Sequence, residues 1–361
     1  MFKLVRILLF ILLLNGSTLG AIGAELSEPE KNFEALWGMF NKRYAFFKER
    51  KVDWQVQYKK FRPQVDADTT DKELFKTMCD MLAPLKDGHV NLKAKRLGKP
   101  EYNPEDLPRF TKEFNTRKLE RQYETMVVET LAANGFNKPK IAGKILSYAH
   151  NDKFGYLLIR EFEGVNRRKL DAGLDEALGA MDGIKGLIID IRLNPGGTTG
   201  CVYRIANRFA DKRRIGHHEK TRKSKDEKEF GPLRTFHLQP PATKKKYRAF
   251  TGPIILLTHG ASYSGADLFA MVMRELPYVK IIGEPTNGIF SNMLERKLPN
   301  GWKYTLSFQV NYSAKMECLE TKGVPVHITV LNKRTDLEKG IDPIVTRALE
   351  MLSAKQVPQQ K

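Results

Sequence analysis

Apolar residues recur every three or four positions near the start of the chain, where Phe33, Leu36, Trp37, Phe40 and Tyr44 share one stripe. That spacing predicts an amphipathic helix. Trp54, Tyr58 and Phe61 extend the theme, and Thr70 is placed to cap a third helical run through Leu74, Met78, Met81 and Leu82 to Leu85. These aromatic stripes read as packing between helices. After Lys86-Asp87-Gly88 the pattern turns extended at His89, and residues 94–110, rich in Lys, Arg, Pro and Asn, read as loop. A charged helix is expected over 112–134. The period then changes. Residues 144–147 and 155–159 form a hairpin around Asn151-Asp152, and a helix is expected over 170–181. Residues 184–193 and 253–260 are nearly continuous branched apolar runs, the pattern of strands buried on both faces. The second run leads through Ala261, Ser262 and Tyr263 into a helix from Ser264 to about Leu276. A short strand over 279–283, two strands over 293–298 and 302–310 joined at Asn300-Gly301, a strand after 320–324 and a helix over 340–352 complete the chain.

Composition agrees with a folded, core-forming protein: 361 residues, 41% hydrophobic and 10% aromatic. Residues 1–24 stand apart. Lys3 and Arg6 precede an apolar run over 7–14, and small residues close it at Gly20-Ala21-Ile22-Gly23-Ala24. That is the order of a secretory signal peptide, with cleavage expected near Ala24 and a periplasmic or extracellular destination. The run is too short to span a bilayer comfortably. Export changes the meaning of the formal net charge of +19, because an exported protein rarely meets nucleic acid. Much of the excess is local: residues 211–248 hold 13 Lys and Arg against 5 Asp and Glu. This segment reads either as a solvated surface insertion or as a contact for an anionic envelope surface. Cys79, Cys201 and Cys318 are too few and too scattered for a disulfide framework or a zinc site. Export would permit a Cys201–Cys318 bridge, but nothing in the sequence requires one. No metal or cofactor is expected.

Two loops invite chemistry. Ser264 follows a buried strand and opens a helix, where a hydroxyl sits at the positive end of the helix dipole and the next backbone N–H faces the same point. A plain helix cap explains the same serine. Gly196-Gly197 follows the other buried strand and exposes backbone N–H groups, as an ordinary strand-to-helix turn also would. It lacks the lysine and spacing of a nucleotide-binding P-loop. His89 lies at a helix exit, outside any packed stripe.

Taken together, these segments resemble the tail-specific (C-terminal-processing) serine peptidases, in the branch similar to the tricorn protease core. The resemblance rests on Leu85-Lys86-Asp87-Gly88-His89-Val90, on Ile189-Asp190-Ile191-Arg192-Leu193-Asn194-Pro195-Gly196-Gly197, on Ser262-Tyr263-Ser264-Gly265-Ala266-Asp267 and on Ile282-Gly283-Glu284-Pro285-Thr286-Asn287-Gly288. It implies an α/β fold: a ClpP/crotonase-like catalytic core over 146–361, a helical domain carrying the histidine motif over 25–110, and a connecting helical segment over 111–145. It also implies roles: Ser264 as nucleophile, His89 as general base, Glu320 as the carboxylate orienting His89, and backbone N–H groups of Gly265 and of Gly196 or Gly197 as the oxyanion hole. The lysine base used elsewhere in the family has no counterpart, since Ile289 stands at its place. Residues 94–145 do not resemble a PDZ domain, and Gly88 replaces the serine that precedes the histidine in the tricorn core. The implied substrate is a peptide or protein. The alternative is a ligand- or lipid-binding protein that uses the same scaffold without catalysis.

Overall fold

The structure, a computed structural model, describes residues 25–98, 100–224, 230–241 and 248–354. The expected signal peptide over 1–24 lies outside the described residues. Helices α1 (Glu28–Arg43), α2 (Trp54–Phe61) and α3 (Asp71–Leu82) form where the apolar stripes predict them. Caps fix their starts: Asp53 accepts the N–H groups of Gln55 and Val56, and Thr70 pairs with Glu73 in a capping box. Short strands β1 (Asn91–Lys93) and β2 (Glu101–Tyr102) follow, then α4 (Arg109–Glu113) and α5 (Arg117–Ala133). The single helix expected over 112–134 is thus two. Thr116 restarts it by accepting the Leu119 N–H with its side chain.

The second half of the chain opens with β3 (Lys140–Ala142), β4 (Leu146–His150), β5 (Phe154–Ile159), α6 (Arg167–Ala180), β6 (Gly186–Asp190) and α7 (Thr199–Ala206). Next come β7 (Arg214–Thr221), β8 (Arg234–Leu238), β9 (Ile254–Thr258), α8 (Gly265–Met273) and β10 (Val279–Gly283). The remainder is β11 (Met293–Lys297), β12 (Lys303–Ser307), β13 (Gln309–Ser313), β14 (Ile328–Thr329), α9 (Arg334–Lys339) and α10 (Pro343–Ala354). Seven strands form one sheet in the order β14-β10-β9-β6-β5-β4-β3, parallel from β14 to β5 and antiparallel beyond.

Period-two alternation explains why β6 and β9 are apolar throughout. Leu187, Ile189, Ile254 and Leu256 face a core shared with α6, α7 and α8, while Ile188, Ile255 and Leu257 face one shared with α5 and α10. The amino-terminal helices build a third core, to which Leu298, Trp302, Tyr304, Leu306 and Val310 return from the far end of the chain. The result is an α/β core with a helical region in front, as expected.

Two expectations are corrected. Residues 302–310 are not one strand: the Phe308 and Gln309 N–H groups both donate to Ser291 Oγ, at 2.9 and 3.0 Å, and the Arg222 N–H donates to the Phe308 carbonyl. The chain therefore leaves the sheet of β12 and starts β13 in another. Nor is 211–248 merely a solvated insertion, since β7 pairs with both β13 and β8 and buries His217, His218 and Glu219. The three cysteines are free. No helix among the described residues is long and apolar enough to cross a membrane.

Candidate active site

Strands β6 and β9 are parallel neighbours, so the loops leaving their carboxyl ends emerge side by side, the usual place for a site in such a sheet. Hydrogen bonds fix the β9 loop. Ser262 Oγ donates to the Ile191 carbonyl at 2.9 Å, and the Tyr263 N–H donates to the Asn194 carbonyl at 3.0 Å. Ser264 follows with φ 53° and ψ −107°, a conformation that a non-glycine residue adopts only under constraint, and such constraint gathers at functional positions. Its side chain makes no cap hydrogen bond to α8. A simple helix cap is therefore not what the hydroxyl does.

The β6 loop brings two glycines against this serine. A Cβ on Gly196 would lie 2.6 Å from the Gly265 nitrogen and 2.8 Å from Ser264 Cβ, and one on Gly265 would lie 2.8 Å from the Gly197 nitrogen. Contacts that close admit no side chain, which is why both loops carry glycine here. The Gly196 N–H is taken by Asn194 Oδ1 at 2.8 Å. The N–H groups of Gly197 and Gly265 have no hydrogen-bond partner among the described residues. Of the two candidates at 196 and 197, only Gly197 has its donor free.

His89 arrives from the amino-terminal region. After α3 and a short turn, Lys86 takes φ 47°, and Asp87 Oδ1 accepts the His89 N–H at 2.9 Å. The His89 carbonyl accepts the Thr305 hydroxyl of β12 at 2.7 Å, and β1 then pairs with β12. His89 and Ser264 line one cleft of about 810 Å³, together with Glu105, Glu163, Gly196 and Gly197. Sequence separation of 175 positions is closed by tertiary structure. Burial lowers the affinity of the His89 ring for a proton, Asp87 raises it, and Arg50 lowers it again, with a net shift below the ordinary value. The Nδ1 atom is buried without a partner.

Behind the histidine lies a buried polar cluster. Asp87 Oδ2 accepts the Tyr44 hydroxyl at 2.8 Å, and Arg50 donates from Nη2 to Glu320 Oε1 at 2.9 Å. Glu320 Oε2 accepts the Phe290 N–H at 3.0 Å. Burial raises the Glu320 pKa, as does the Asp87 carboxylate, against the opposing pull of Arg50. Among the described residues Glu320 makes no hydrogen bond to His89 and reaches it only through Arg50 and Asp87.

Sequence reasoning named no role for Asp87, Arg50, Asn194 or Asp267. Asp267 is fully buried in the first turn of α8, and its carboxylate accepts N–H groups from Gly288 at 2.7 Å and Ile289 at 3.3 Å. It thereby ties the helix that follows Ser264 to Ile289, the residue that fills the space beside Gly88. The Ser-x-x-Asp spacing of a capping box was its one local signal. Among the described residues no group of three or more His, Cys, Asp or Glu could hold a metal ion.

The family model for peptidase family S41 matches residues 153–330, and that for the tricorn protease C1 domain matches residues 27–83. A carboxy-terminal processing protease, CtpA of Bacillus subtilis, is 25% identical over 181 residues, which cover 50% of this chain and 35% of that protein. The chain thus spans about a third of the length of this curated relative. A Parabacteroides merdae structure described as a candidate peptidase superposes with TM-score 0.76 and 29% identity, covering 91% of this chain and 98% of the other. The photosystem II D1 C-terminal processing protease shares the fold alone, with TM-score 0.51 and 12% identity over 85% of this chain and 94% of that one. By its core, its helical front region and the relatives it matches, the chain resembles the tail-specific serine peptidases of family S41, in the branch similar to the tricorn core, with residues 153–330 matching that family's own model.

Proposed function

We propose that this protein is an exported serine peptidase that hydrolyses peptide bonds of a peptide or protein substrate. The observation carrying this reading is the meeting of Ser264, His89 and the unpaired Gly197 N–H in one cleft, with the unpaired N–H of Gly265 packed beside the Gly196-Gly197 turn. Ser264 Oγ attacks the peptide carbonyl while His89 takes its proton, and the imidazolium then returns that proton to the leaving amine. The tetrahedral oxyanion is held by Gly197 and Gly265, each such donor being worth about 10²–10³ in rate. Water repeats the sequence on the acyl-enzyme and regenerates the serine. During both halves the charged imidazole is favoured by Asp87, whose carboxylate raises its proton affinity. Glu320 acts as a positioning residue, holding Arg50 beside that aspartate. The small-residue boundary at Ala24 supports export, and the basic 211–248 segment suits an anionic envelope surface.

Peptides cleaved by the wild type should disappear from the product profile of Ser264→Ala. Identical profiles from the two proteins would reject the peptidase reading and favour a ligand-binding protein on the same scaffold.

Three further results are expected. Because burial keeps His89 neutral, the acid limb of kcat/KM should fall below the ordinary histidine value of about 6.5. The same depressed pKa means that His89 supports folding above about pH 6.5, a contribution lost as pH falls from there through its folded-state value. A pH–rate profile checks the first, and denaturant midpoints between pH 5 and 8 the second. Glu320→Gln should leave partial activity and move the acid limb lower, since Arg50 would then face His89 with one carboxylate fewer. A purely structural Glu320 would lower activity without moving the limb.

A further inference from the structure

The charge inside the cleft is opposite to the charge of the chain. The formal net charge is +19, yet among the described residues no lysine or arginine lines the cleft of Ser264, while two glutamates do. One borders the histidine turn and the other the glycine amides. Glu105 is on the histidine side: a Cβ on Gly88 would come within 3.1 Å of its carboxylate, and the Asn287 amide donates to it at 3.3 Å. Burial raises its pKa, while Tyr263 and Asn287 favour the ionised form. Glu163 is on the amide side. Phe162 exchanges backbone hydrogen bonds with Gly196 and Thr198, and a Cβ on Gly197 would lie 2.9 Å from the Glu163 nitrogen. The Glu163 side chain is exposed and makes no hydrogen bond or ion pair among the described residues. Lys144, a cation beside that turn, faces Glu161 at 3.9 Å and the Gly164 carbonyl at 3.3 Å instead.

We propose that the cleft selects peptides carrying a lysine or arginine beside the scissile bond, read chiefly by Glu163, with Glu105 at the histidine turn. This rests on the peptidase reading and names its substrate class. Glu163 begins one residue from the strand-like bridge of Phe162 to Gly197, so a peptide whose carbonyl occupies the oxyanion site passes close to its carboxylate. A cationic side chain placed there meets an acceptor with no protein partner to displace. The cleft offers a glutamate or aspartate of the substrate no countercharge, and like charges repel. Hydrogen bonds that involve a charged group amount to about tenfold or more in affinity.

The test uses matched fluorogenic peptides that differ only in Lys, Arg, Leu or Glu at the residues flanking the cleaved bond. For the wild type, kcat/KM should favour Lys and Arg over Leu by about tenfold, with Glu poorest, and the gap should narrow as salt rises. Glu163→Gln should remove most of the preference, and Glu163→Lys should place the Glu peptide above the Lys peptide. Titration of the same peptides against Ser264→Ala reads the preference without turnover and should show tighter binding of the Lys peptide. Equal binding and equal kcat/KM across the set would overturn the inference, as would a preference unchanged in both Glu163→Gln and Glu105→Gln. Hydrolysis of none of the peptides, with the Lys peptide still bound more tightly, would sink the peptidase reading and leave the cation site standing.

Discussion

Replacing His89 with alanine should lower kcat by on the order of 10⁶, Ser264→Ala should lower it as much, and the double variant should lose no more than either. The non-additivity is the informative part. In the proposed mechanism, attack by the hydroxyl and removal of its proton are one event, so deleting either partner leaves the other with nothing to do. Folding should survive in all three. The His89 ring meets the Ser291 backbone but leaves Nδ1 unpartnered, and Ser264 Oγ caps no helix, so losing either side chain removes little that holds the fold together. Melting temperatures within roughly 4 °C of the wild type would match the local character of the change. Losses that multiply in the double variant would mean that the two residues act independently.

The largest expected effect on stability lies beneath the glycine turn. Arg192, whose side chain is 1% exposed, donates to Asp190 at 2.6 Å and to Asp342 at 2.7 Å. Tyr156 donates to Asp190 and Asn332 to Asp342, so each carboxylate has neutral support as well. Asp342 also accepts the Ile344 N–H at the start of α10. The cluster therefore links the end of β6 to the last helix. Arg192→Met would keep the volume and strand two carboxylates in the core. Breaking a buried pair in that way costs about 3–5 kcal/mol, because the charge left behind has lost both water and partner. A fall of roughly 10 °C in melting temperature is expected. Adding Asp190→Asn and Asp342→Asn should recover much of it, since neutral groups at those sites need no countercharge. A stable Arg192→Met single variant would show that water reaches the cluster.

Local pattern carries information only as far as local forces decide the outcome. Ser264 and the glycine pair were legible because a buried strand, a tight turn and a helix start leave few places for a hydroxyl and a free N–H to go. The helical stripe around Phe33 was legible for the same reason, with its caps written beside it. Glu320 shows the limit. Its position could be aligned, but its partner Arg50 is 270 residues away, and no spacing in the chain announces that pairing. The break at Phe308 was hidden as well, because Trp302 to Val310 alternates without interruption. Only Ser291 and Arg222, both distant, pull it apart. Basic composition misled in a similar way: β7 carries charges at its ends, and its middle is buried between two other strands.

The most direct measurement is covalent labelling with a fluorophosphonate, followed by peptide mapping of the wild type and of His89→Ala. A single label on Ser264 that is lost in the variant is the predicted result, because only a serine activated by that imidazole attacks the phosphorus centre. A label on some other residue, or equal labelling of Ser264 with His89 removed, would contradict the claim that these two side chains work as one unit.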